Sequence, residues 1–262
     1  MRRSAVTRAL WVLRQFAIVL LGIVVYFGVR GLTESGPAAA LDHAADVLAF
    51  EQAISLDQEQ RLQDLFIDQD WLITLANWIY IWGHWPVITV VMVWLAFRHR
   101  VVFLRLRNAM IASGGIGLII FATYPVAPPR LTGTGLVDTV TQRSEAYRVL
   151  QPPAFVNQYA AMPSLHVGWD LLVGLAVASA ASTTVLRWIG RLMPVLMTVA
   201  VVLTANHYLI DAVAGAALAL VGLAVAYRLE HRHVNARAAV EVPHPRLSPD
   251  LAPVRRTGTL VD

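Results

Sequence analysis

The chain has 262 residues, 57% hydrophobic and only 15% charged, with no cysteine and a formal net charge of +4 carried by arginine alone. Soluble domains carry about a quarter charged residues, so this is the composition of one bundle of membrane helices. The absence of cysteine excludes disulfides and thiolate metal sites. The arginines flank apolar runs and form no stripe with interleaved aromatics, so no nucleic-acid partner is expected. A lysine-free chain rich in arginine and alanine hints at a bacterial source.

A hydrocarbon core about 30 Å thick takes roughly 20 apolar residues per helix. Six stretches qualify: 15–32, 78–97, 108–125, 165–184, 188–205 and 208–228. The expected fold class is all-α: a polytopic membrane protein with six transmembrane helices in one bundle. The first stretch follows a basic leader, "MRRSAVTRAL", and precedes "PAAA", as a signal peptide would. Its apolar run is longer than the usual h-region of about 7–15 residues, which favours an uncleaved helix. The fifth carries Arg191 one turn inside, where a long side chain can snorkel.

The segment 42–69 is not a span. Val47, Phe50 and Ile54 recur at helical spacing, and "SLDQ" reads as a capping box with Ser55 at N-cap and Gln58 at N3. Leu62, Leu65 and Phe66 continue an apolar stripe. Two short amphipathic helices on the outer surface are expected. The membrane domain is expected over 1–233, with 234–262, rich in Pro, Arg and Ala, as a disordered cytoplasmic tail.

Arginines set the orientation. They crowd the N-terminus, "FRHRVVFLRLRN", positions 187 and 191, and "YRLEHRH". The positive-inside rule then puts both termini in the cytoplasm. Segments 33–77, 126–164 and 204–208 fall outside a multi-pass plasma-membrane protein. Trp71, Trp78, Tyr80, Trp82 and Trp85 make an aromatic belt at the outer side.

Ionisable residues at span ends are functional hypotheses by default. This topology gathers His84, Arg130, His166, His207 and Asp211 towards the outer side, and Asp170 is a further ionisable residue of the same set. In "NHYLID", His207 and Asp211 are i and i+4 and share a helix face. A carboxylate there can hold the imidazole Nδ1 hydrogen and leave Nε2 as a nucleophile or base. Two helix starts, with Pro163 in a first turn, favour an anion. Ser164 and Arg130 add a hydroxyl and a planar cationic fork suited to phosphate. The pattern reads as phosphoryl transfer through a histidine.

Each residue also has a plainer use. Ser164 can cap a helix, Arg130 can anchor at the interface, and His84, just before Pro86, can satisfy a freed carbonyl. Asp170, four residues after His166, either orients it or faces a polar cavity.

"PSLH" at 163–166, followed by "HYLID" at 207–211, resembles the second and third signature motifs of the type 2 phosphatidic acid phosphatase superfamily. "YPVAPPR", and leucine where most members have glycine in the second motif, look closest to the branch containing fungal inositol phosphorylceramide synthase. The resemblance covers roughly the third to sixth spans. It implies a six-helix core, no cofactor and no metal. It implies His207 as nucleophile, Asp211 as its partner, His166 as general acid for the leaving group, and Ser164 as a phosphate contact. Arg130 stands for the first-motif arginine, although it follows two prolines instead of preceding one. The first-motif lysine is absent, and "AVVLTAN" lacks the third-motif arginine. His84 and other arginines are candidate substitutes in the phosphate cradle, and Asp170 is a separate candidate for the phosphate-binding set.

The expected partners are therefore a lipid phosphate or phospholipid in the bilayer and, for transfer, an alcohol acceptor such as inositol. Other classes predict different chemistry. Ser164 as the nucleophile of a triad would give an esterase or protease. A non-catalytic lipid- or ion-binding protein would tolerate loss of His207. Two histidines and a carboxylate could also hold zinc.

Overall fold

The computed structural model describes residues 2–32, 36–143 and 157–241. Among them the chain is all-helical: α1 Arg2–Leu32, α2 Pro37–Ala53, α3 Glu59–Phe66, α4 Asp70–Trp82, α5 Trp85–Arg98, α6 Arg100–Thr123, α7 Thr139–Arg143, α8 Leu165–Ala180, α9 Thr184–Leu203 and α10 Leu209–Glu241. The chain divides into two compact units, Met1–Tyr227 and Arg228–Asp262. The first holds every element up to the body of α10. In its described part the second is the remainder of α10, which is helical eight residues beyond the expected boundary at 233. The rest of the expected tail lies outside the described residues.

Among the described residues four helices are long and apolar enough to cross a membrane: α1 over Ala9–Tyr26, α6, α9, and α10 over Leu209–Arg232. The expected span 78–97 is broken instead. The pair α4 and α5 passes the same test together but is bent by 47°. The expected span 165–184 stops short: α8 has 16 residues and ends before "ASTT". There Ala181 is extended and Thr183 caps α9 by accepting the Leu186 N–H. Short hydroxyl side chains compete with helix carbonyls and favour such caps over continuation.

Small residues let the helices close on one another, as membrane interiors require where burial of apolar surface drives nothing. α8 packs most extensively on α9. A Cβ on Gly174 would lie 2.2 Å from the carbonyl oxygen of Gly190. One apolar cluster joins α5, α6 and α8 around Leu95, Phe103, Leu106, Trp169 and Val173. A second joins α4 and α9 around Tyr80, Met197 and Val201.

The segment after α2 corrects the capping-box expectation. Ser55 sits in the turn with a φ of 58° and caps nothing. α3 begins four residues later, with Gln58 at its N-cap position. Three members of the expected aromatic belt, Trp71, Trp78 and Trp82, are exposed, whereas Tyr80 turns inward.

Candidate functional site

The break between α4 and α5 places the first site residue. Gly83 ends α4, and a Cβ there would lie 2.3 Å from the Ile79 carbonyl oxygen, so glycine is required for so tight a turn. His84 follows at the N-cap position of α5, with Pro86 in that helix's first turn, where a missing N–H costs nothing. His84 is buried, and its Nδ1 lies 2.9 Å from Oδ1 of Asp170, itself buried on α8. Asp170 therefore pairs with His84, which corrects its alternative role as the partner of His166. The imidazole of His166 lies between two rings: Tyr80 stacks on it at 4.6 Å, and His84 lies 4.4 Å away.

His207 lies in the turn between α9 and α10. The backbone N–H groups of Asn206 and His207 both donate to the Val201 carbonyl, folding the turn against the last turn of α9. Nδ1 of His207 lies 2.7 Å from the carbonyl oxygen of Ala161. A carbonyl only accepts, so Nδ1 carries the hydrogen and Nε2 keeps its lone pair. Ala161 is held in turn by its own N–H, which donates to the Val126 carbonyl as part of a parallel bridge between Val126 and Ala160. Oδ2 of Asp211 is farther from Nδ1, at 3.5 Å, and accepts the Tyr208 N–H at 3.0 Å. The expected tautomer-fixing bond is thus made first by Ala161, with Asp211 in support. The rings of His166 and His207 are 5.7 Å apart.

The start of α10 is not open to an anion. Its leading N–H groups are taken by three carboxyl groups in succession: Tyr208 donates to Asp211, Leu209 to Glu59 and Ile210 to Glu51, the last two at 2.7 Å. Glu51 and Glu59 come from α2 and α3, are both buried, and tie those helices onto α10. Burial pushes the Glu51 carboxyl up to about 8, against the lowering effect of the Ile210 N–H, and the nearby Glu59 and Asp211 add to the rise. Neither glutamate was legible as a site neighbour. Helical periodicity marks an apolar face but does not reveal that a carboxylate on a short helix will cap a helix start 150 residues away.

Arg130 reaches the same turn. Its backbone N–H donates to Ala205, its Nη1 donates to Oδ1 of Asn206 at 2.6 Å, and its Nε is 3.2 Å from Oδ2 of Asp138. Asn206, the residue before His207, was not singled out by sequence reasoning. Ser164 is fully buried as the N-cap of α8, its Oγ accepting the Val167 N–H, so Pro163 precedes the helix instead of sitting in its first turn. The Ser164 backbone N–H donates to the Asp211 carbonyl. A Cβ on Gly215 would lie 2.0 Å from the Ser164 carbonyl oxygen, so the starts of α8 and α10 are in backbone contact. Among the described residues no three His, Asp or Glu side chains converge in a way that could hold a metal ion.

The structure thus brings His84, Asp170, His166, His207 and Asp211 into one row, buried except for the half-buried His166, with Arg130 joined through Asn206. Comparison with curated proteins and with solved structures returns no match. The profile of the PAP2 superfamily matches residues 45–225, a stretch that contains every residue of this row. The chain belongs to the PAP2 superfamily.

Proposed function

We propose that this protein is an integral-membrane lipid phosphate phosphatase or phosphotransferase that works through a phosphohistidine on His207. Superfamily membership supports a phosphatase or phosphotransferase activity, and the long apolar helices support a membrane location. The observation that carries the residue assignment is the bond from His207 Nδ1 to the Ala161 carbonyl, which leaves Nε2 as the free nucleophilic nitrogen. In the first step Nε2 attacks phosphorus, the bond from phosphorus to the leaving oxygen breaks, and protonated His166 gives that oxygen its proton. In the second step His166 takes a proton from the acceptor, whose oxygen displaces the Nε2 of His207. Arg130 contacts the phosphoryl oxygens with the donors that Asn206 and Asp138 leave available. Ser164 helps hold the phosphate-facing end of α8.

The bundle crosses the membrane six times in this reading: the four long helices, the bent pair of α4 and α5, and the shorter α8. The arginine distribution favours both termini in the cytoplasm and the site on the outer face of a bacterial plasma membrane. Expected partners are a lipid phosphate or phospholipid and the bilayer around it.

The acceptor separates two forms of the reaction. Leu165 in the second motif and "YPVAPPR" favour the inositol phosphorylceramide synthase-like branch, in which an alcohol such as inositol takes the phospho-headgroup. The test is a phosphate-release screen over phosphatidic acid, polyprenyl diphosphates and phosphoinositides, with and without alcohols, and with His207→Ala as the blank. Release from at least one lipid that disappears in the blank is expected. Release that survives His207→Ala would reject the nucleophile. Turnover that strictly requires an alcohol would replace hydrolysis by transfer.

A further inference from the structure

His84 lies outside the motifs that carry the superfamily resemblance, and so does Asp170. Yet among the described residues they form the tightest side-chain ion pair at this end of the bundle, at 2.9 Å with both partners buried. Trp85 packs edge-on against the His84 ring at 5.4 Å, and Trp169 lies parallel to it at 6.0 Å. The two tryptophans also pack on each other at 5.7 Å. His84 is thus walled by aromatic rings on these sides and meets His166 on another. A buried carboxylate in such a place is costly unless a proton or cation balances it.

Resting on the phosphohistidine reading, we propose that His84 and Asp170 are a positioning pair for His166: they clamp its ring against Tyr80 and keep one proton on the two neighbouring imidazoles. Asp170 accepts the Nδ1 hydrogen of His84, so Nε2 is the nitrogen through which His84 exchanges a proton. One proton shared by His84 and His166 balances the Asp170 charge and leaves the cluster neutral. During attack that proton passes from His166 to the leaving oxygen, and the alcohol departs neutral. The cluster then holds Asp170 as a carboxylate and two neutral imidazoles. The acceptor's proton, taken by His166 as the new bond to phosphorus forms, restores the starting state. No other reactant is needed.

This role differs from the phosphate contact first suggested for His84. A phosphate contact would act on substrate affinity, whereas a proton-holding pair acts on the fraction of His166 able to give a proton. Among the described residues, the groups that face the pair include His166 on α8, Tyr80 on α4 across the His166 ring, and His207 beyond it.

The test uses the full-length protein in mixed micelles, with phosphate release from phosphatidic acid followed as a function of pH. Asp170→Asn should move the alkaline limb of kcat/KM to lower pH by about one unit or more, as expected when a neighbouring buried charge is removed. His84→Ala should lower kcat with little change in KM, and added imidazole should restore part of the lost rate. His84→Gln, which keeps most of the side-chain volume, leaves the Asp170 charge facing His166 alone and should move the limb the other way, to higher pH, without imidazole rescue. It also serves if Asp170→Asn fails to fold. An unmoved limb in the folded variants, together with no response to imidazole, would overturn the proposal. So would a raised KM at unchanged kcat, which would restore the phosphate-contact role. The same assay run on His207→Ala keeps the two readings apart. Release that persists there rejects the phosphohistidine reading, and this proposal with it. Release that is lost there, with unshifted Asp170→Asn and His84→Gln profiles, rejects the positioning pair alone.

Discussion

The carboxylate of Asp211 stands 3.5 Å from Nδ1 of His207, while the carbonyl oxygen of Ala161 stands 2.7 Å from the same nitrogen. A backbone carbonyl, not the acid of the motif, is the nearer acceptor. In a serine-protease triad, replacing the orienting acid by its amide costs about 10⁴ in rate because the wrong tautomer is held. Here Ala161 keeps the tautomer when Asp211 changes. Asp211→Asn should therefore lose far less than His207→Ala, retaining activity well above that about 10⁴-fold loss. Initial rates of the two variants on one substrate check this.

Asp211 has a second use that makes its full deletion worse. It accepts the Tyr208 N–H at the start of α10 and is completely buried. Asp211→Ala should cost about 0.5–2 kcal/mol, the range for losing a side-chain cap at a helix start, since Asp211 reaches back from the first turn to the N–H before the helix. Asp211→Asn keeps an oxygen for that bond. Melting temperature in detergent should rank wild type first, Asp211→Asn second and Asp211→Ala last.

General-acid catalysis by His166 predicts a dependence on the leaving group. His166→Ala should slow release from an alkyl phosphate by about 10²–10⁴, the usual worth of a positioned acid. A nitrophenyl phosphate, whose leaving oxygen needs no proton, should be affected much less. Equal losses on both substrates would point to a structural role for His166.

The sequence carried the row of residues unevenly. His207 and Asp211 were visible because helical spacing fixes their shared face whatever surrounds them. His166 was visible because a polar residue starting an apolar run has few other uses. The pairing of Asp170 was not visible. Spacing pointed it at His166, whereas a neighbouring helix break places His84 2.9 Å from it, and that break lies at Gly83, where a Cβ would meet the Ile79 carbonyl. The run at 78–97 was read as one span, with Pro86 noted only as freeing a carbonyl. Tyr80 was read as an interfacial aromatic, since composition marks a belt without saying which ring turns in to stack on His166. Glu51 and Glu59 escaped because their partners are backbone N–H groups distant in sequence.

The buried Glu51 carboxyl makes stability depend on pH. Its folded value, about 8, lies above the ordinary carboxyl value, so the folded protein holds a proton that the unfolded chain releases. This contribution is complete at acid pH, below the ordinary carboxyl range, and is lost as pH rises towards about 8. Melting temperature should fall over that window in wild type. Glu51→Gln, which still offers an oxygen to the Ile210 N–H, should flatten the slope. An identical slope in both proteins would remove Glu51 as its source.

The contact between Gly215 and the Ser164 carbonyl predicts a packing-sensitive site. Gly215→Ala would force a methyl to within 2.0 Å of a backbone oxygen. The starts of α8 and α10, which carry His166 and adjoin His207, would have to separate. A stability loss of about 1–3 kcal/mol, or more, is expected from such overpacking. The rate should fall further than that of a comparably destabilised variant remote from the site, such as one on the exposed face of α9.

The most direct measurement is rapid quenching of the purified protein with a lipid phosphate labelled at the transferred phosphorus, followed by mapping of the labelled residue. An acid-labile, alkali-stable phosphate on His207, formed within one turnover and absent from His207→Ala, is the predicted result. A label on Ser164, or full turnover with no labelled histidine, would contradict the phosphohistidine mechanism.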